Sequence, residues 1–131
     1  MGTLIVIDGL DGSGKNTQSK LLYDRLVKEG KRVYLVSFPD YESPACEPVK
    51  MYLGGAFGTD PEDVGSYAAS TFFAVDRFAS YKMDWGKWYE EGGLVLSGRY
   101  TTSNAVHQAS KVAPEEREAF FHWLYDFEYA K

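Results

Sequence analysis

Residues 9–18, with the sequence GLDGSGKNTQ, combine closely spaced glycines with a lysine in the pattern G-x-x-x-x-G-K. Glycines in such a loop let backbone N–H groups turn towards phosphate oxygens, and the lysine adds a positive charge near the β- and γ-phosphates. The pattern predicts that the loop binds a nucleotide and that Lys15 takes part in catalysis. The candidate nucleotide-binding residues are Gly9, Asp11, Gly12, Ser13, Gly14, Lys15, Asn16 and Thr17. The alternative is a tight strand-to-helix turn with a surface lysine.

One position of the loop departs from the usual pattern. Asn16 follows Lys15, where a serine or threonine hydroxyl normally contacts Mg²⁺. An amide oxygen can bind a hard cation, but Mg²⁺ demands near-ideal octahedral geometry at about 2.0–2.1 Å. We therefore expect Asn16 to be a weak, indirect Mg²⁺ residue, with phosphate binding retained. Thr17 points further round the helix and does not simply replace the hydroxyl.

The segments around the loop predict the elements that position it. The apolar run 4–7 precedes the loop and indicates a strand buried on both faces, and a helical pattern follows over 15–29. Further apolar runs at 33–36 and 94–96 indicate two more strands. The fold class is therefore α/β, a three-layer fold of the P-loop NTPase type with a parallel sheet and helices on both faces. We expect one domain over residues 1–131, incomplete at its carboxyl end, with a bare edge on the strand at 4–7.

A long helix is predicted to start at 60–63, or at Ser66 if Gly65 breaks it, and to end near Glu91. Its predicted core stripe is Ala68, Phe72, Val75 and Ala79. Phe73 and Arg77 lie one turn apart on another face, which suits a flat base that carries a phosphate. The alternative is a core phenylalanine beside a surface pair of Asp76 and Arg77.

Two further helices are predicted over 101–111 and 114–127. Asn104 and Gln108 share a face of the first, either as binding residues or as solvated polar side chains. His107 is interpreted as a partly buried structural histidine and not as a catalytic residue. The apolar face of the second helix consists of Phe120, Leu124 and Phe127.

Composition excludes several classes of function. A net charge of −5 argues against a non-specific nucleic-acid binder. No apolar run approaches the ~20 residues of a membrane span, so no membrane partner is expected. The sequence shows no secretory signal, and its single cysteine, Cys46, allows no internal disulfide, which together favour the cytoplasm.

Five blocks of the chain resemble the thymidylate kinase family in order and spacing: DGLDGSGKNTQ (8–18), FPDY (38–41), YAASTFFAVDRF (67–78), GRYTTSNAVHQASK (98–111) and FFHWLYDFEY (120–129). The resemblance implies phosphate transfer from ATP to dTMP with Mg²⁺, and a homodimer formed partly by the long helix. It implies that Asp11 approaches the 3′-OH of dTMP, that Phe38 lines the acceptor pocket and that Phe73 stacks on thymine. Arg77 and Arg99 would hold the acceptor phosphate, with Arg99 also catalytic. Base reading and closure of the pocket would fall to Ser103, Asn104, His107 and Gln108.

The chain also departs from the family pattern. Gly98 stands where the family usually has an aspartate near Mg²⁺, and Asp40 where it often has an arginine. Residues 1–131 contain no segment that resembles the basic lid of the family. Three hypotheses follow: a dTMP kinase, a nucleotide-binding protein with impaired catalysis, and a P-loop kinase for another nucleoside or nucleotide.

Overall fold

The computed structural model describes residues 1–60 and 62–130 of the chain. These residues form two compact units, one made of residues 1–38 and 78–100, and the other of the remaining described residues. The strands are β1 (Thr3–Ile7), β2 (Val33–Ser37) and β3 (Leu94–Gly98). The α-helices are α1 (Lys15–Lys28), α2 (Glu47–Leu53), α3 (Ser66–Ser80), α4 (Gly86–Glu90), α5 (Thr101–Ala109) and α6 (Arg117–Tyr129).

The first unit contains a three-stranded parallel sheet in the order β1–β3–β2. Val95 and Leu96 of the middle strand are fully buried. The parallel α/β fold is therefore confirmed. The prediction that the strand at 4–7 is buried on both faces is wrong, because Leu4 to Ile7 are only half-buried. β1 is less buried because it lies at an edge of the sheet: among the described strands it pairs with β3 alone.

Helices and aromatic side chains cover this sheet. Helix α1 contacts β2 and β3, and α4 contacts β3. Trp85, which is buried, packs with Val36, Phe38 and Val95 and donates its indole N–H to Ser80 Oγ at 3.1 Å. A π-helical turn, Tyr81–Trp85, joins α3 to α4, so the long helix predicted up to residue 91 has an irregular turn in its second half.

The second unit has its apolar core between α5 and α6. Ala105, Ala109, Phe120 and Leu124 are buried there together. This arrangement confirms the apolar face predicted for the last helix, of which Phe120 and Leu124 are the fully buried members. Tyr67 of α3 adds an edge-to-face contact with Phe120, with ring centroids 5.2 Å apart.

The predicted core stripe of α3 is wrong. Ala68 and Val75 are exposed, and Phe72 is only half-buried. The buried residues of this helix within the second unit are instead Ser66, Ala69, Ser70, Asp76 and Arg77. Ser66 and Ser70 have hydrogen-bond partners on α5, and Arg77 has an ion-pair partner on α6. Asp76 instead accepts a hydrogen bond from the Asp40 N–H.

Helix α3 begins at Ser66, the second of the two predicted starts. Asp60 and Asp63 form a local turn before it, in which the Asp60 N–H donates to Asp63 Oδ2 at 3.0 Å. Pro61, part of the other predicted start, lies outside the described residues.

Candidate functional site

The glycine-rich loop connects β1 to α1, as its sequence predicts. Gly12 and Gly14 have φ of 75° and 90°, a left-handed conformation that residues with a side chain rarely adopt. Gly14 is the N-cap of α1 and provides no side chain to cap the helix. The amide groups of the first turn are therefore left facing the loop, where the helix dipole favours an anion.

Three charged side chains meet at this loop. Asp11 Oδ1 lies 3.7 Å from Lys15 Nζ, and the same oxygen accepts a hydrogen bond from Arg99 Nη2. Asp11 is almost fully exposed, whereas the side chain of Lys15 is only 11% exposed. The structure thus brings together the two predicted catalytic residues, Lys15 and Arg99, around one carboxylate. Two cations at one loop can neutralise the charge of a polyphosphate.

Asn16 and Thr17 lie in the first turn of α1 and are exposed, as is Ser13 of the loop. The amide oxygen of Asn16 is the side-chain oxygen available to a cation at this position. Among residues 1–60 and 62–130, no three histidine, cysteine, aspartate or glutamate side chains form a group that could hold a metal ion.

Gly98, the position where the sequence lacks a carboxylate, ends the middle strand. It pairs with Ile7 of β1 and Ser37 of β2, and Arg99 follows it directly. A Cβ atom at Gly98 would have Ser37 Oγ as its neighbour at 3.7 Å, an ordinary van der Waals distance. Lack of space therefore does not explain the glycine.

Phe38 follows β2 and packs into the apolar cluster of the first unit. Its side chain is 6% exposed and meets the ring of Tyr100 edge-on, with centroids 5.7 Å apart. Its backbone N–H donates to the Gly98 carbonyl at 3.1 Å. Phe38 thus combines a core position with a place beside the carboxyl end of the middle strand.

In the second unit, Phe73 of α3 is half-buried against Tyr52 of α2. The two rings are perpendicular, with centroids 6.2 Å apart. Lys111 Nζ lies 4.9 Å above the same tyrosine ring and bonds its hydroxyl. Phe73 therefore packs against Tyr52, and Lys111 in turn contacts that tyrosine.

Arg77 is buried and forms an ion pair with Glu128 in the last turn of α6. Thr101, at the start of α5, donates to the second oxygen of that carboxylate at 3.4 Å. The pair thus joins three helices of the second unit. The alternative of a surface Asp76–Arg77 pair is wrong, because both residues are buried.

Asp76 anchors the segment that follows β2. Its Oδ2 accepts the Asp40 N–H at 3.0 Å, whereas its buried Oδ1 has no hydrogen-bond partner among the described residues. Burial raises the pKa of the Asp76 carboxyl above its ordinary value, and the nearby charge of Asp40 acts in the same direction.

Asn104 and Gln108 are buried, so the interpretation of both as solvated side chains is wrong. Asn104 Nδ2 donates to Ser70 Oγ at 3.0 Å, and its Oδ1 finds no partner among the described residues. The backbone carbonyl of Gln108 accepts a hydrogen bond from Ser66 Oγ at 2.9 Å. Ser103 is half-buried on the same helix. His107 is exposed, so the interpretation of it as a partly buried histidine is wrong.

The sequence analysis did not identify Glu128 as a site residue, although its spacing along α6 indicates a buried position. Phe120, Leu124 and Glu128 are spaced four residues apart, so the carboxylate continues the buried face of α6. A carboxylate on a buried face requires a cation, and Arg77 is that cation.

The fold and the loop define a class of protein: a parallel α/β protein with a glycine-rich loop of the P-loop type between its first strand and first helix. Residues 7–118 match the family described as thymidylate kinase. The chain therefore belongs to the thymidylate kinase family.

Individual relatives agree with this family. The chain is 44% identical over 110 residues to the thymidylate kinase of Schizosaccharomyces pombe. This match covers 84% of the chain and 50% of the relative. The chain is 30% identical over 131 residues to the thymidylate kinase of Mycobacterium tuberculosis, covering 98% of this chain and 59% of the relative. The structure of thymidylate kinase from Candida albicans matches 95% of this chain and 56% of its own, with a TM-score of 0.72 and 24% identity, a likeness that shows the fold.

The chain thus spans about half to three fifths of the length of these relatives. None of the described helices has the length and apolar character needed to cross a bilayer.

Proposed function

We propose that the chain contributes to ATP-dependent phosphorylation of dTMP to dTDP in the cytoplasm. The observation that carries the proposal is the meeting of Lys15 and Arg99 at the glycine-rich loop. These cations share the exposed Asp11 carboxylate, which the phosphates of ATP can replace as an anionic partner. The family names of the relatives supply the acceptor, dTMP.

The reaction would be an in-line transfer. The acceptor phosphate oxygen forms a bond to the γ-phosphorus of ATP while the bond to the β,γ-bridging oxygen breaks, giving dTDP and ADP. Such transfers need positioning and charge neutralisation more than a strong base. Lys15 and Arg99 would supply the positive charge, and backbone N–H groups of Gly12 to Thr17 would orient the phosphates.

Arg99 would contact the phosphate of the acceptor, a role that the resemblance to the family implies. Phe73 would stack on thymine, and Arg77, oriented by Glu128, would bind the phosphate. Ser103, Asn104 and Gln108 would read the base. Asn104 Oδ1 is buried and has no partner within residues 1–60 and 62–130, so it would accept a hydrogen bond from an N–H of the base. Asp11 would approach the 3′-OH, and Phe38 would form a wall of the acceptor pocket.

The donor set for Mg²⁺ fits the ion only weakly. Asn16 offers one exposed amide oxygen, and Gly98 offers no carboxylate. When bound to the phosphates of ATP, Mg²⁺ would neutralise part of their charge. The chain would then orient the phosphates mainly through the loop and Lys15.

We also propose a homodimer that uses α3. Ala68 and Val75 expose an apolar face of this helix, with Phe72 half-buried between them. An exposed apolar stripe of this kind is typical of an interface.

A coupled assay with ATP, Mg²⁺ and dTMP tests the proposal by measuring ADP release. The expected result is dTMP-dependent turnover that Lys15→Ala abolishes. Binding of both nucleotides by calorimetry without turnover would establish the catalytically impaired alternative. Tighter binding of dUMP, dCMP or dGMP than of dTMP would overturn the choice of acceptor.

A further inference from the structure

Arg99 has an unusual backbone conformation. Its φ is 68°, and within residues 1–60 and 62–130 it is the one residue other than glycine with a positive φ. Side chains disfavour this region, because Cβ comes too close to the following carbonyl oxygen. A non-glycine residue stays there only when its surroundings determine its conformation.

Hydrogen bonds hold the backbone of Arg99 on both sides. Its N–H donates to the Ile7 carbonyl of β1 at 3.0 Å. Its carbonyl accepts a hydrogen bond from Ser97 Oγ at 2.7 Å. Ser97 lies in the middle strand and is fully buried, so its hydroxyl requires an internal partner.

The left-handed turn changes where Arg99 points. Side chains alternate along a strand, so Val95, Ser97 and an extended Arg99 would share one face. That face carries the apolar cluster around Val95 and Trp85, which is unsuited to a guanidinium. In the turned conformation the guanidinium instead reaches Asp11 at the glycine-rich loop.

We propose that Ser97 is a positioning residue that holds Arg99 in the left-handed conformation and so directs its guanidinium to the phosphates. The proposal rests on the function proposed above, because it takes Arg99 as a cation of the transfer reaction. Ser97 itself touches no reacting atom.

Three variants test this role. Ser97→Ala removes the hydrogen bond, Ser97→Thr keeps the hydroxyl, and Ser80→Ala is the matched control. Ser80 is another buried serine of the first unit, and its hydroxyl oxygen bonds Trp85. The measurements are the φ of Arg99 in crystal structures, kcat and KM for ATP, and the thermal midpoint.

We expect Ser97→Ala to relax Arg99 to a negative φ and to lower kcat about tenfold, roughly the equilibrium effect of one hydrogen bond. KM for ATP should hardly change, because the loop glycines and Lys15 remain. Ser97→Thr should keep φ positive and kcat near wild type. Ser80→Ala should lower the thermal midpoint as Ser97→Ala does, yet leave kcat unchanged.

A positive φ at Arg99 in Ser97→Ala would overturn the proposal, as would equal losses of kcat in Ser97→Ala and Ser80→Ala. If the wild type makes no dTDP, the proposed function fails. The crystal structures still decide the role of Ser97 in that case: a relaxed Arg99 supports it, and an unchanged one refutes it.

Discussion

Restoring a carboxylate at the end of β3 should increase phosphate transfer. Gly98 lies at the carboxyl end of the middle strand, directly before Arg99. Its φ lies outside the left-handed region, and a Cβ atom there meets Ser37 Oγ at 3.7 Å. Gly98→Asp should therefore fold with little strain. Because the position is buried, the new carboxylate will need a cation partner.

The expected size follows from the role of residues around a metal. Such residues typically change affinity or activity by about 10–100-fold. Gly98→Asp should thus raise kcat/KM by about 10–100-fold, or roughly 1.4–2.7 kcal/mol of transition-state stabilisation. Asn16→Ser supplies the missing hydroxyl and should add to this effect. The two gains need not sum, because both positions would act on the same proposed Mg²⁺ ion.

The assay is ADP release with ATP and dTMP over a titration of Mg²⁺. Gly98→Asn is the matched control, since it has nearly the same size and no charge. Gly98→Asp should lower the Mg²⁺ concentration at half-maximal rate, whereas Gly98→Asn should not. Equal rates for the two folded variants would refute the idea that the missing charge limits this site.

Two further predictions concern α3. Phe73→Ala should weaken dTMP binding by about 1–3 kcal/mol in calorimetry, the usual cost of a lost base–aromatic stack. The control Phe72→Ala removes a neighbouring ring that packs on Phe57, and it should leave dTMP affinity nearly unchanged. Asp76→Asn should raise the thermal midpoint at pH 7, because burial raises the pKa of Asp76 and its ionised form is therefore disfavoured in the fold. The neutral acid stabilises the fold fully below about pH 4, the ordinary pKa of aspartate, and this stability is lost as pH rises through the raised pKa. The advantage of Asp76→Asn should thus vanish towards pH 4, and an advantage that is constant with pH would contradict this explanation.

The sequence predicts the first unit well because its signals are local. The apolar runs at 33–36 and 94–96 and the glycine-rich loop each determine their own conformation, and the structure confirms the parallel sheet that follows from them. The order of the strands was not predictable in this way. The order depends on which strand pairs with two others. In this sheet that strand is β3, and β1 lies at an edge.

The ionic contacts of the site depend on residues distant in sequence. Arg99 meets Asp11 across 88 positions, and Arg77 meets Glu128 across 51. Hydrophobic periodicity carries no information on such pairs. The positive φ at Arg99 was likewise not predictable from the sequence, because turn prediction assigns a positive φ to glycine or asparagine first.

The wrong prediction of the core stripe of α3 has a physical cause. Periodicity assigns apolar residues to the core, yet this helix buries Asp76 and Arg77 and exposes Val75. Burying these charges costs more desolvation than burying hydrophobic residues of the same volume, so stability alone does not favour them. Local patterns are expected to fail at functional sites, where polar groups must be held in fixed positions. The buried polar face of α3 is therefore the face on which the acceptor residues should be sought, and its more exposed apolar face is the one proposed above for the homodimer.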